Sequence, residues 1–322
     1  MKLSVVTTIY KTSAQIHEFF ARAVEAADRI GATAEVIFVN DGSPDDGLEV
    51  GRELAGADHR AVIVDLAANV GQHRALWTGM RFATGDYIGI MDGDLEEDPL
   101  WLVNFFQFMT SSGSDVAYGV QKAKKGGLLY RACRHVFYSA IKMFTSASFP
   151  RNVVTARLMT RQYLTALLEY DEREIFLVGM MHMVGFKQMP VEVDKIALSP
   201  TSYSLGKLIR IFVTHTTSFS ITPLLGVFIA GLAILGLSVL CLLTLLILHM
   251  TGSIAVPGWA STMAAFALFS GISIFFNGII AIYIGTIFLE VKRRPLATVR
   301  ALYKQPSATP SPLSSDHGQH PG

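Results

Sequence analysis

Two stretches without a single Asp, Glu, Lys or Arg, Pro223–Leu248 and Trp259–Leu289, most constrain what this chain can fold into. A bilayer core is crossed by about 20 apolar residues, so each stretch is predicted as a transmembrane helix. They account for the mean hydropathy of +0.39 in a chain of 322 residues. The loop between them, His249–Gly258, carries no Lys or Arg. Lys195, Lys207 and Arg210 precede the first stretch, and Lys292, Arg293, Arg294, Arg300 and Lys304 follow the second. Positive charge stays on the cytoplasmic side, which predicts a multi-pass inner (plasma) membrane protein with both termini and the first two hundred residues in the cytoplasm. Net charge is +1, so there is no overall footprint for nucleic acid, and the basic residues beside the apolar stretches suit anionic lipid. Cys133 and Cys241 make neither a disulfide framework nor a zinc site. Leu3–Ile9 is too short and polar for the apolar region of a signal peptide.

The first part of the chain alternates between two periodicities. Leu3–Ile9, Glu35–Asn40, Ala61–Leu66 and Asp86–Met91 read as strands. Ser13–Ile30, with Ser13 as its cap, Leu48–Leu54 and, after a loop at Asn69–Gln72, the segment through Ala83 read as helices. Such alternation predicts an α/β domain with a mostly parallel sheet covered by helices on both faces. Residues 151–200 complete it. Leu128–Phe144, which mixes aromatic and basic residues, and Thr201–Ser220 read as interfacial helices; Leu128–Phe144 equally suits an ordinary packing helix. Gln305–Gly322, rich in Pro, Ser and Gly, reads as a disordered tail. The expected organisation is a globular domain over 1–200, a juxtamembrane amphipathic segment over 201–222, two transmembrane helices within 223–289, and a basic segment with the tail over 290–322.

Ligands of such sheets bind beyond the carboxyl ends of the strands, where Tyr10, Asp41, Asn69 and Asp92 fall. Asp92 and Asp94 close an apolar strand. Carboxylates two apart on extended chain point to one side, where they can hold one hard cation, Mg2+ or Mn2+, against a diphosphate. An Asp–Gly–Asp turn without metal uses the same residues. Asp41, in Val39-Asn40-Asp41-Gly42-Ser43, suits a base or ribose of a nucleotide, or an Asx-turn. Asp45 and Asp46 read as helix-starting charges. Asn69-Val70-Gly71-Gln72 is placed to line the diphosphate site, with His73 structural and Arg74 either on a phosphate or in solvent. Arg157 offers a forked donor set for phosphate, or an ion pair with Glu172 or Glu174. Neither a Gly-x-x-x-x-Gly-Lys-Ser/Thr loop nor a Gly-x-Gly-x-x-Gly turn is present.

Thr7-Thr8-Ile9-Tyr10, Val39-Asn40-Asp41-Gly42-Ser43, Asn69-Val70-Gly71-Gln72, Gly85-Asp86-Tyr87 with Asp92-Gly93-Asp94-Leu95, and Glu290-Val291-Lys292-Arg293-Arg294-Pro295 follow in that order. The ordered set resembles glycosyltransferase family 2, in the polyprenyl-phosphate glycosyltransferase branch (dolichyl-phosphate mannosyltransferase-like) with two C-terminal transmembrane helices. The resemblance implies a GT-A fold, a nucleotide-sugar donor, a metal-dependent inverting hexosyl transfer, a polyprenyl (undecaprenyl) phosphate acceptor in a lipid bilayer, and assembly as a homo-tetramer. It implies nucleotide binding at Thr8, Tyr10, Asp41, Asn69 and Asp92, metal binding at Asp92 and Asp94, and catalytic roles for Asp94, Arg157 and Lys195.

The chain departs from the family pattern at four places. Thr8-Ile9-Tyr10-Lys11-Thr12 stands where members have Pro-Val-Tyr-Asn-Glu. Glu96 replaces a Gln, Thr155 replaces an Asp viewed as a candidate base, and Lys195 is the nearest cation to a lost Arg. A phosphate acceptor needs no base, so Thr155 favours lipid phosphate. Transfer to a hydroxyl of a lipid-linked oligosaccharide requires Glu172 or Glu174 as the base, and a catalytically silent membrane scaffold accommodates the altered Thr8, Lys11, Thr155 and Ser199 positions. Processive polymer synthesis is disfavoured by the lack of a Gln-x-x-Arg-Trp motif.

Overall fold

The computed structural model describes residues 1–121, 153–170, 172, 175, 177–194 and 258–305, with scattered positions between 229 and 251. Its centre is an eight-stranded sheet formed by β1 (Lys2–Ile9), β2 (Thr33–Asn40), β3 (Ala61–Leu66), β4 (Tyr87–Ile90), β5 (Val116–Gln121), β6 (Val153–Thr160), β7 (Gln188–Val193) and β8 (Val299–Tyr303). The order across the sheet is β7-β5-β6-β4-β1-β2-β3-β8. β1 and β2 are buried along almost their whole length because both of their faces are covered; Val5, Val6, Val36, Ile37 and Val39 are fully buried.

Helices α1 (Ile16–Arg29), α2 (Gly47–Ala57) and α4 (Trp101–Ser112) accompany the apolar cluster on one face, with α3 (Gln72–Met80), α5 (Arg161–Leu168) and α6 (Leu177–Met183) on the other. α1 shows why: Ile16, Phe19, Phe20, Ala23, Ala26 and Ala27 recur at helical spacing and are all buried. The Phe19 ring meets Phe38 of β2 edge to face at 5.8 Å. A short 3-10 turn, Ser13–Gln15, precedes α1, and the Ser13 amide donates to Asp45. The helix therefore begins later than its sequence suggests, and Ser13 is not its cap.

The sheet is mixed, which corrects the expectation of a mostly parallel one. β1 pairs in parallel with β2 and β4, β2 with β3, and β5 with β7, whereas β6 runs antiparallel to β4 and β5, and β8 antiparallel to β3. Pairing direction is set by which strand a segment meets in space, and local periodicity carries no trace of it. β8 is the least expected strand, because it follows the long apolar helix α7 (Trp259–Lys292) and returns to the globular domain.

A second correction concerns the membrane. Among the described residues one helical stretch, Phe269–Lys292 with mean hydropathy 2.1, is long and apolar enough to cross a bilayer. A run without charge establishes apolarity, but a span also requires a continuous helix of membrane length. The other expected span, Pro223–Leu248, falls outside the described residues apart from scattered positions. The two-helix architecture, the multi-pass inner-membrane placement and the family branch defined by two helices are accordingly not retained. The proposed interfacial helices Leu128–Phe144 and Thr201–Ser220, Lys195, and the tail beyond Gln305 also lie outside the described residues.

Candidate active site

Strand order reverses at β1: β2 and β3 extend the sheet on one side and β4 on the other, all parallel to it. The crevice at such a point collects the loops that leave the strands. Here it is a cleft of about 370 Å³ lined by Thr8, Tyr10, Thr12, Asp41, Asn69, Gly71, Gln72, Asp92, Gly93 and Asp94. Thr8, Tyr10, Asp41, Asn69, Asp92 and Asp94, all singled out from sequence, are thus brought together. A larger cleft of about 620 Å³ lies between α2 and β8, beside Glu49, Arg52 and Tyr303, and gathers none of these residues.

Asp41 is 3% exposed. Its two carboxylate oxygens accept the Val70 amide at 2.7 Å and the Gly71 amide at 3.0 Å, and its carbonyl accepts Asn69 Nδ2 at 2.7 Å. Burial pushes the carboxyl up, and the two amides pull it back in part. Asp41 therefore shapes the Asn69–Gly71 loop as well as facing the cleft. Gly42 beside it has φ +61, and a Cβ there would sit 2.9 Å from the Asn69 nitrogen. Both the left-handed backbone and the close approach require glycine. The Lys11 amide donates to Ser43 Oγ at 2.8 Å, and Ser43 Oγ donates to Asp45 at 2.5 Å. Asp45 thus ties the β1 and β2 loops together, a structural part that its sequence position did not disclose.

Asp92 and Asp94 are half-buried at the end of β4. Gln72 Nε2 donates to Asp92 Oδ1, and the Glu96 amide donates to Asp94 Oδ1 at 3.0 Å. Leu95, next in the chain, has φ 61, and Lys11 across the cleft has φ 59. Left-handed backbone costs a non-glycine residue about 1–2 kcal/mol, and such strain gathers at functional sites. No group of three or more His, Cys, Asp or Glu forms a metal cage among the described residues. A pair of carboxylates on one cleft wall nevertheless fits Mg2+ or Mn2+, since such ions commonly take one or two protein carboxylates and complete their shell with phosphate oxygens and water.

Arg157 is placed differently from the phosphate ligand its forked donors suggest. It lies on β6, 3% exposed, outside the cleft lining, with Nη1 on Met181 Sδ at 2.9 Å. Its Nε has no hydrogen-bond partner among the described residues. Desolvation pushes its pKa down, opposed by Tyr163, Glu97 and Tyr118. Glu97 is the residue that sequence reasoning missed. It stands in the acidic run Glu96-Glu97-Asp98, yet it is fully buried. Its burial follows from the left-handed backbone at Leu95, which no local sequence signal discloses.

Residues 4–168 match the model of Glycosyl transferase family 2, and the chain belongs to that family. A Mycobacterium tuberculosis (strain CDC 1551 / Oshkosh) protein provisionally assigned to the glycosyltransferases is 35% identical, covering 98% of this chain and 92% of its own. The undecaprenyl-phosphate 4-deoxy-4-formamido-L-arabinose transferase of Sodalis glossinidius is 27% identical, covering 98% and 96%. Among solved structures, a mannosyltransferase from Pyrobaculum calidifontis in complex with GDP-Man and Mn2+ aligns at 16% identity with a TM-score of 0.43, covering 90% of this chain and 87% of that one.

Proposed function

We propose that this member of glycosyltransferase family 2 moves one hexose from a nucleotide sugar to polyprenyl phosphate, with inversion at the anomeric carbon, to supply a surface glycan. The observation that carries the reading is the meeting of Asp41 and the Asn69 loop with Asp92 and Asp94 in one cleft. In this reading Tyr10, Thr8, Asp41 and Asn69 hold the nucleoside, and Asp92 and Asp94 orient the diphosphate. Mg2+ or Mn2+, when bound by the two carboxylates, offsets the charge of the departing diphosphate. An oxygen of the lipid phosphate attacks the anomeric carbon. The bond from that carbon to the diphosphate oxygen breaks, and its electron pair leaves with the nucleoside diphosphate.

A phosphate monoester has a second pKa of about 6, so at pH 7 no base has to remove a proton. This agrees with Thr155 on β6, where the family pattern has an Asp. Lys195 is the cation we assign to the acceptor phosphate, while Arg157 lends positive charge from behind the cleft. A lipid acceptor is supported by the name of the Sodalis glossinidius relative and by the apolar stretch Phe269–Lys292, which would hold the domain against a bilayer.

One observation favours a hydroxyl acceptor instead. Burial and the neighbouring Glu290 push the Glu172 carboxyl up, as suits a general base. Detergent-purified protein incubated with undecaprenyl phosphate, Mn2+ or Mg2+ and a panel of labelled nucleotide sugars separates the two. Label from one donor enters the lipid phase, chelator stops it, and Glu172→Gln leaves it unchanged. Transfer to a lipid-linked oligosaccharide alone, lost in Glu172→Gln, contradicts the lipid-phosphate reading.

A further inference from the structure

The ladder between β4 and β6 ends where the cleft begins, and a buried carboxylate occupies its next rung. The two strands pair antiparallel from Tyr87 with Thr160 to Ile90 with Arg157. Extended in the same register, that ladder would set Asp92 opposite Thr155. Instead the Asp92 amide donates to Glu97 Oε2 at 3.1 Å, and the Thr155 amide donates to Glu97 Oε1 at 3.0 Å. Glu97 reaches this place because the chain reverses at Leu95, whose φ is 61. A carboxylate has two acceptor oxygens and no donor, so it can take one N–H from each strand and keep them apart.

We propose that Glu97 is a positioning residue, a carboxylate wedge that splits β4 from β6 and aims Asp92-Gly93-Asp94 at the donor. Two charge-assisted hydrogen bonds hold the wedge. The buried Arg157 guanidinium, two residues beyond Thr155 on β6, balances its charge. The wedge and the family's candidate-base position are therefore one unit: the strand that carries Thr155 is spaced from the Asp92 loop by Glu97. The role of the aimed carboxylates rests on the proposed transfer, whereas the wedge stands on its own geometry.

Glu97→Gln keeps the shape but turns an N–H2 group toward one of the two backbone donors. Glu97→Asp keeps the charge but is one methylene too short to serve both. Amide hydrogen exchange on the full-length protein reads the wedge directly. In Glu97→Gln, exchange at Asp92 and Thr155 accelerates about tenfold or more while the Val5, Val6 and Ile37 amides hold. In Glu97→Asp one of the two amides loses protection. Mn2+ titrated in the presence of nucleoside diphosphate, followed by the electron paramagnetic resonance of free Mn2+, reads the aim. Its half-saturation rises about tenfold in Glu97→Gln. Unchanged exchange at both amides in both variants overturns the wedge. Faster exchange with unaltered Mn2+ half-saturation overturns the positioning role and leaves a purely structural residue. Wild-type protein that takes up no Mn2+ overturns the metal role of Asp92 and Asp94, and with it the aim, independently of the exchange result.

Discussion

The two ends of the same strands are built in opposite ways. At the amino end of β1 and β2, Glu35 accepts hydrogen bonds from Lys2 Nζ at 2.7 Å, Ser4 Oγ at 2.5 Å, and the Thr84 amide and hydroxyl at 2.9 and 2.7 Å. Ser4 Oγ in turn accepts the Gly85 amide at 2.8 Å. At the carboxyl end, a few residues along the same strands, Thr7 Oγ1 is buried without a hydrogen-bond partner among the described residues. Two non-glycine residues there, Lys11 and Leu95, adopt left-handed backbone. Polar groups that satisfy one another fix the fold. Polar groups held toward a cleft, on strained loops, leave binding capacity for something else. In the proposed reading the sheet thus keeps its stability at one end and its chemistry at the other.

That contrast is breakable at several strengths. Short of removing one of the cleft carboxylates themselves, the largest effect is expected from Gly93→Ala, because a Cβ there would collide with the Thr8 carbonyl oxygen and approach Thr7 Oγ1 at 3.0 Å. Transfer activity should fall about a hundredfold as the Asp92 and Asp94 carboxylates shift, in a steady-state assay with saturating donor. Glu35→Ala should act in the opposite sense. It leaves buried hydroxyl and amide groups unpaired, which costs about 2–3 kcal/mol, seen as a lower denaturant midpoint, while the KM for donor stays within about twofold of wild type.

Acid should act on the same end. Burial raises the Glu35 pKa, but the hydrogen bonds from Lys2, Ser4 and Thr84 outweigh it and hold the carboxyl below its ordinary value. A depressed folded-state pKa contributes stability above the unfolded value, and that stability is lost as pH falls through the folded value. Melting temperature should therefore drop as pH descends through and below the ordinary glutamate range, less steeply in Glu35→Gln. The smallest effect is expected at Arg300 on β8, which lies 3.6 Å from Asp65 and donates to the Ala67 carbonyl at 2.9 Å. Its side chain is 60% exposed, so Arg300→Ala should cost less than about 1 kcal/mol. Any rise in donor KM would travel through the hydrogen bond from Asn40 to Asp65.

The residues lining the cleft were more legible in the sequence than the parts that support it. Parallel strands deliver whatever follows them to one edge, so Tyr10, Asp41, Asn69 and Asp92 could be brought together from strand positions alone. Four strands were visible as apolar runs, and Ala61–Leu66 coincides with β3. What stayed hidden depends on contacts between distant segments. β8 is five residues long and follows an apolar helix, so nothing local ties it to β3. The mixed pairing of β6 depends on its neighbours. Arg157 has the chemistry of a phosphate ligand, and its burial against Met181 is decided by where α6 packs. Glu97 sits among acids and is buried because Leu95 reverses the chain. The length of the second charge-free stretch was legible; a two-span architecture was an extrapolation from composition that a single described helix does not sustain.

The central claim is that the carboxyl end of the sheet does the chemistry and the amino end holds the fold. The measurement that tests it most directly compares Asp94→Ala with Glu35→Ala in one preparation series, recording transfer from nucleotide sugar to undecaprenyl phosphate and the melting temperature of each. Asp94→Ala should lose transfer by about a thousandfold with an unchanged melting temperature, and Glu35→Ala should melt lower yet turn over normally while folded. Asp94→Ala that still transfers at the wild-type rate would contradict the account.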